Sequence, residues 1–385
     1  MVVAKLIMSN FESDFNSKIQ NRYNPDYVSP PGDTLLEVLE DRGMTQAELA
    51  ERTGRPKKTI NEIIKGKAAI TPETALQLER VFNIPASFWN NHERHYREFL
   101  AQQEEKKHLA KHIPWLKGIP VKAMIKFDWI SQYSDKLEQL REVLNFFAVA
   151  SPEQWEGIWL NNQIDFRKSQ AFQSDPGAIS AWLRRGEIEA SKITCAPYNA
   201  NNFREALRKI RALTVELPEI FQPKLVQLCA EAGVAVVFVP ELPRTRTSGA
   251  THWLNADKAL IQLSLRYKTD DHLWFTFFHE AGHILLHGKR DFFLEGTGII
   301  SIEDQEKEKE ANKFSADILI PPGDLKRFLA SIPQISKANI IEFANEIGIA
   351  PGIVVGRLQH DQVLPSSHCN DLKQRWEWAL DKQEN

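Results

Sequence analysis

The chain has 385 residues, more than one ordinary core accommodates, so two or three domains are expected. Its 42% hydrophobic and 26% charged residues describe a globular protein, and a formal net charge of -3 excludes chain-wide attraction to nucleic acid or acidic membranes, leaving local basic patches to be counted separately. Cys195, Cys229 and Cys369 lie far apart with no C-x-x-C pair, which argues against a disulfide framework and a thiolate zinc site and fits a reducing compartment.

The start, "MVVAKLIMSNFESDF", is too short an apolar run for a secretory signal, and no later segment offers about eighteen apolar residues free of charge. A soluble cytoplasmic protein with no membrane partner is expected. Residues 1 to 33 are weakly patterned and end in "YNPDYVSPPGD", an extended lead-in by its prolines and glycine. Residues 34–104 then read as a bundle of short helices punctuated by Gly43, Gly54, Gly66 and Pro85, ending in a long polar helix.

Within this bundle, Leu35, Val38 and Leu39 form one apolar stripe, Leu49 and Ala50 the next, Gly54 the turn, and Ile60, Ile63 and Ile64 the buried side of a third helix. Arg55 precedes that helix, and its outward positions are Lys57, Lys58, Thr59, Asn61, Glu62 and Lys65. Five basic residues and one acidic residue fall between Arg55 and Lys67, a local charge of +4 in a chain of -3. Lysines at the helix start suit phosphates, while Thr59 and Asn61 suit base edges in a major groove. A plain helical bundle with a solvated basic face is the alternative. In "MTQAELAERTG", "TINEIIKGKAAIT" and "PASFWNN" the segment resembles the Xre-type helix-turn-helix of the HigA antidote family. The resemblance implies binding to a double-stranded DNA operator, and one such helix reads about one half-site, so a homodimer is expected.

Residues 113–217 read as a helical connecting region with tryptophans at 115, 129, 155, 159 and 182 and no recognisable chemistry, hence scaffold or partner surface. Residues 218–365 change period. "AGVAVVFVPEL" is a strand by its β-branched run, and "GATHWLN" and "KALIQLSL" form a hairpin joined at "NADK". The fold class expected for the whole is mainly α with a small β component.

"FTFFHEAGHILLHG" places His279 and His283 four apart on a helix, where both imidazoles can meet one ion. Glu280 lies about 100° round the helix, where it can take a proton from a water held there. Composition alone produces such a pattern often enough that a core helix with satisfied histidines stays open. Gly282 keeps one face small for a close neighbour. A third ligand is sought in "SIEDQEKEKEANKFSADILIP", where Glu306 and Glu310 share a face and Glu308 points away. His287 lies about 12 Å along the axis from His279, too far to share an ion with it, and is read as a helix-end residue beside the ligands.

Together, "FTFFHEAGHILLHG" and "EKEANKFSADILIPP" resemble the ImmA/IrrE family of zinc-dependent metallopeptidases, over roughly residues 218–365. The resemblance implies a zincin-like α+β domain, Zn²⁺ bound by His279, His283 and Glu310, and Glu280 as general base. It selects Glu310 over Glu306. Asp317, seven residues on, is a candidate to orient a ligand histidine. Tyr267, His252 and His287 are the candidates for stabilising an oxyanion. "EFANEIGIAPGIVVGRLQHDQVLP" is expected as a helical pair closing the domain.

The two ends together lead to an antitoxin-like DNA-binding regulator carrying a zinc endopeptidase. The resemblance implies a protein substrate, expected to be another regulator or the chain's own segment near residues 104 to 120. The alternative is a non-hydrolytic repressor whose peptidase-like domain binds a toxin or ligand.

Overall fold

The computed structural model describes residues 4–7, 27–161, 175–288, 293–294, 302–331 and 334–379. The chain is mainly α-helical with a small β component, in two compact units: Phe15–Ile113, and Met1–Asp14 with Pro114–Asn385.

The smaller unit is a five-helix bundle of α1 (Pro31–Asp41), α2 (Gln46–Thr53), α3 (Lys57–Ile64), α4 (Pro72–Phe82) and α5 (Ala86–Ala110). Leu35, Leu39, Leu49, Ile60, Ile63, Leu78 and Trp89 form its core. Thr45 starts α2 by accepting the Glu48 amide at 3.2 Å, and Gly54 ends it with φ 67°. Pro56 then opens α3, so the turn between the two helices is three residues, Gly54 to Pro56. Ile64 is half-buried rather than buried.

The larger unit begins with β1 (Ala4–Ile7) and continues through α6 (Val121–Lys126), α7 (Lys136–Phe147), α8 (Pro152–Trp155), α9 (Pro176–Lys192), α10 (Ala200–Arg211) and α11 (Pro218–Ala230). After these come β2 (Val234–Phe238), β3 (Gly249–Asn255), β4 (Lys258–Leu263), α12 (Asp270–Leu286), β5 (Phe293–Leu294) and α13 (Ile302–Leu319). The unit closes with α14 (Pro322–Ser331), α15 (Lys337–Ile347), α16 (Pro351–His360) and β6 (Trp376–Ala379). The central sheet has strand order β2-β4-β3-β5, with β2 and β4 parallel and β3 antiparallel to both its neighbours.

Both faces of this sheet are covered, which explains the unbroken apolar run of β2. Val234, Val236 and Phe238 pack with Ile261 and Leu263 against α11 and α12. Ala235, Val237 and Leu260 turn to the other face, where Trp129, Trp155, Trp159 and Trp182 bury themselves. Trp182 Nε1 donates to the Val239 carbonyl at 3.1 Å, and Gln262 Nε2 donates to the Trp182 carbonyl at 2.7 Å.

Two boundaries therefore change. The tryptophan-rich helices of residues 113–217 are not a separate connecting region but one wall of the sheet unit, because their indoles need its apolar face to leave water. The unit also runs past residue 365, since β6 pairs in parallel with β1, Ala4 opposite Trp376, and so draws part of the expected lead-in into this unit. The pair α15 and α16 is present at the expected place, bent by 114°. Among the described residues no single helix is long and apolar enough to cross a membrane.

Candidate functional site

Helices α12 and α13 pack closely. Gly282 makes this possible, since a Cβ there would lie 3.3 Å from Ala311 Cα and 3.1 Å from Phe314 Cδ1. Ser315 Oγ donates to the Phe275 carbonyl at 2.8 Å and fixes one helix along the other. On α13 the face turned toward α12 runs through Glu308, Ala311, Asn312, Ser315 and Leu319, at steps of three and four.

The carboxylate that reaches the histidines is consequently that of Glu308. Its Oε2 lies 3.2 Å from His279 Nε2 and its Oε1 3.3 Å from His283 Nε2, while the two Nε2 atoms are 3.0 Å apart. One donor atom from each of the three residues falls within 4.8 Å of the other two. Glu310, expected as the ligand, is displaced about 200° round the helix from Glu308 and is instead 3.2 Å from His287 Nε2, with its side chain 63% exposed. Glu306 pairs with Lys309 at 2.7 Å on the solvent side.

The outer nitrogens are also occupied. His279 Nδ1 donates to Asn312 Oδ1 at 3.0 Å, which leaves Nε2 as the nitrogen turned toward Glu308. His283 Nδ1 and His287 Nδ1 are 2.9 Å apart. His287 Nε2 in turn donates to Glu310 Oε2 at 3.2 Å. Glu310 and His287 thus hold His283 as Asn312 holds His279. Asp317, expected to orient a ligand, is drawn away by Lys313 Nζ at 2.5 Å.

Burial is the largest influence on His283, bringing its pKa down to about 4, so it is neutral at pH 7. Burial pushes Glu308 the other way, but the contacts with the His279 and His283 rings prevail and hold its carboxyl at about 2. Two imidazoles and one carboxylate with converging donor atoms suit Zn²⁺ by number and type of donor.

Glu280 is fully buried, with its carboxylate against the start of β3. A Cβ on Gly249 would lie 2.7 Å from Glu280 Oε1 and 2.6 Å from Thr276 Cγ2, so the glycine makes room for this carboxylate. Thr251 Oγ1 donates to the Glu280 carbonyl at 3.4 Å. Of the oxyanion candidates, His252 faces Glu187 of α9 at 3.7 Å, on the sheet face away from α12. Tyr267 stacks on His272 at 4.3 Å and is half exposed.

In the smaller unit, Lys57, Lys58 and Lys65 are exposed, and Thr59 and Asn61 half-buried, on or next to α3. Lys58 Nζ is 3.8 Å from Glu62. Arg55 Nε donates to Gln77 Oε1 of α4 at 2.8 Å, so this residue braces the turn. Sequence reasoning missed Glu308, Asn312 and Gly249. For Glu308, counting back from the buried Ala311 and Ser315 by three and seven would have found it.

Residues 35–89 match the helix-turn-helix family model, and residues 229–359 match the model of the IrrE N-terminal-like domain, an M78 peptidase family. Virulence-associated protein A of Dichelobacter nodosus is 42% identical over 52 residues, which cover 13% of this chain and 51% of that protein, about half its length. Among solved structures, a HigA-family addiction module antidote protein from Coxiella burnetii is 28% identical over 22% of this chain and 91% of its own, with a TM-score of 0.20. A plasmid maintenance antidote protein from Nostoc punctiforme is 26% identical over 22% and 92%, with a TM-score of 0.22. The chain thus joins a helix-turn-helix domain of the Xre-like kind to a metallopeptidase-like domain of the IrrE type.

Proposed function

We propose that the protein is an antitoxin-like, DNA-binding transcriptional regulator, acting as a homodimer, whose larger unit is a zinc-dependent endopeptidase that hydrolyses a protein substrate. The observation that carries the peptidase half is the convergence of His279, His283 and Glu308 beside the buried Glu280. His279, His283 and Glu308 would hold the Zn²⁺, and the ion, when bound, supplies Lewis acidity toward a peptide carbonyl. Glu280 takes the proton of the attacking water and returns it to the leaving amine, so the peptide C–N bond breaks as the new C–O bond forms. Asn312 and His287 keep both imidazoles in the tautomer that presents Nε2.

The chain's own residues 104 to 120 are a poor substrate, because they lie in α5 and a following 3₁₀ turn rather than in extended backbone. A separate protein fits better.

Incubating the zinc-loaded full chain with a degenerate fluorogenic peptide library tests the reading. Cleavage by the parent should fall at least about a hundredfold in Glu280→Gln while zinc content stays unchanged. No cleavage by the parent, or equal cleavage by the variant, removes the enzyme from the proposal and leaves the non-hydrolytic repressor.

The DNA half is supported by the exposed lysines of α3 and the helix-turn-helix match. Binding to a pool of random duplexes should weaken steeply with salt, and Lys57→Ala or Lys58→Ala should each lower the logarithmic slope by about 0.9. Salt-insensitive binding would reassign the basic helix to protein contact.

A further inference from the structure

The larger unit has a concavity with a charged rim that shares no residue with the histidine cluster. A pocket of about 360 Å³ is lined by Lys126, Phe127, Glu241, Arg244, Arg246 and Arg266, among others. Four of these side chains are cations and one is a carboxylate, in a chain whose formal net charge is -3. Among the described residues no carboxylate lies within 4.0 Å of any of the four cations. Burial is the chief influence on Glu241 and raises its carboxyl above the ordinary value, against the pull of Arg266 and Lys268. The four cations outnumber this one acid.

The backbone that presents two of the arginines is strained. Arg244 has φ 71° and Arg246 φ 52°, in the left-handed region that L residues rarely adopt. Between and after them, Thr245 and Thr247 are fully buried and hold the segment down. The Thr245 amide donates to the Leu242 carbonyl at 3.0 Å, and Ser264 Oγ to the Thr247 carbonyl at 2.6 Å. Arg266 Nη1 donates to the carbonyl of Arg246 from the adjoining loop. The backbone of this segment is thereby fixed, and it presents the exposed Arg244 and Arg246 side chains on one pocket with Arg266, the exposed Lys126 at the end of α6 and the half-buried ring of Phe127.

We propose that this pocket binds a small phosphate-bearing ligand. Guanidinium forks match the oxygens of a phosphoryl group, several of them are needed to balance its charge, and the volume is of the order that takes a compact ligand. The ligand is inorganic, or it is a nucleoside phosphate whose base meets Phe127.

Calorimetric titration of the full chain with inorganic pyrophosphate, ADP and adenosine tests this. At least one of the two anions should bind saturably at one site per chain, and adenosine should not bind. ADP binding tighter than pyrophosphate assigns a nucleoside phosphate, and equal or weaker binding assigns the inorganic ligand. The Arg244→Gln/Arg246→Gln variant should weaken the anion at least about tenfold, and Lys57→Ala/Lys58→Ala should leave it unchanged. Arg246→Gly relieves the left-handed strain, so it should fold at least as well as the parent and still lose affinity. Absence of saturable anion binding, equal binding by the arginine variants, or loss of binding in the lysine variant each overturns the proposal.

Discussion

Glu308→Ala should strip zinc from the purified protein, whereas Glu310→Ala should retain one zinc per chain. Glu308 offers one oxygen to each imidazole, at 3.2 and 3.3 Å, from a helix face pressed on α12. Removing it leaves two nitrogens, and two protein ligands are fewer than catalytic zinc sites use. Affinity should fall beyond the roughly 10–100-fold that outer residues account for. Glu310 acts through His287 and then His283, and its side chain is 63% exposed, so its loss should cost no more than about tenfold. Metal analysis after dialysis, followed by titration against a chelator, reads both variants. Zinc kept by Glu308→Ala and lost by Glu310→Ala would return the ligand role to Glu310.

Asp270→Asn should stabilise the larger unit at pH 8 and leave it nearly unchanged at pH 4. Asp270 is fully buried at the start of α12, with its carboxylate packed on Gly352 of α16. Its Oδ1 accepts the Gln374 amide at 3.0 Å, and the Asp270 amide donates to the Gln374 carbonyl at 3.1 Å. Desolvation, then the neighbouring Asp271, raise its pKa from 3.8 to about 7. A carboxyl with a raised native pKa binds more protons folded than unfolded, so stability falls as pH rises from about 4 to about 7 and is level above that. Three units correspond to about 4 kcal/mol, an order-of-magnitude figure. Asparagine keeps the acceptor for Gln374 and carries no charge. The difference between the two proteins, read by calorimetric unfolding across pH, should open through that window. A constant difference at all pH values would mean that Asp270 is charged throughout.

The local features of this chain were legible before any folding. Thr45, Gly54 and the isoleucines of α3 mark a helix-turn-helix because capping, turn chemistry and a helical period are short-range properties. The hairpin at "NADK" and the spacing of His279, Glu280 and His283 are of the same kind. Glu308 was misread because a run of alternating charges hides which side of a helix is buried. Only Ala311, Ser315 and Leu319, pressed on α12, decide it. The tryptophans of residues 113–217 announced packing but not what they pack on.

The sequence by itself determined that a basic helix of a helix-turn-helix and two histidines four apart on one helix are present, since each is set by residues within a few positions of one another. The tertiary structure alone decided that Glu308 meets the two histidines, that Asn312 and His287 meet their outer nitrogens, and that β1 returns to β6. Those outcomes join residues tens to hundreds of positions apart, and the burial of helix and sheet faces selects among partners that spacing leaves equivalent.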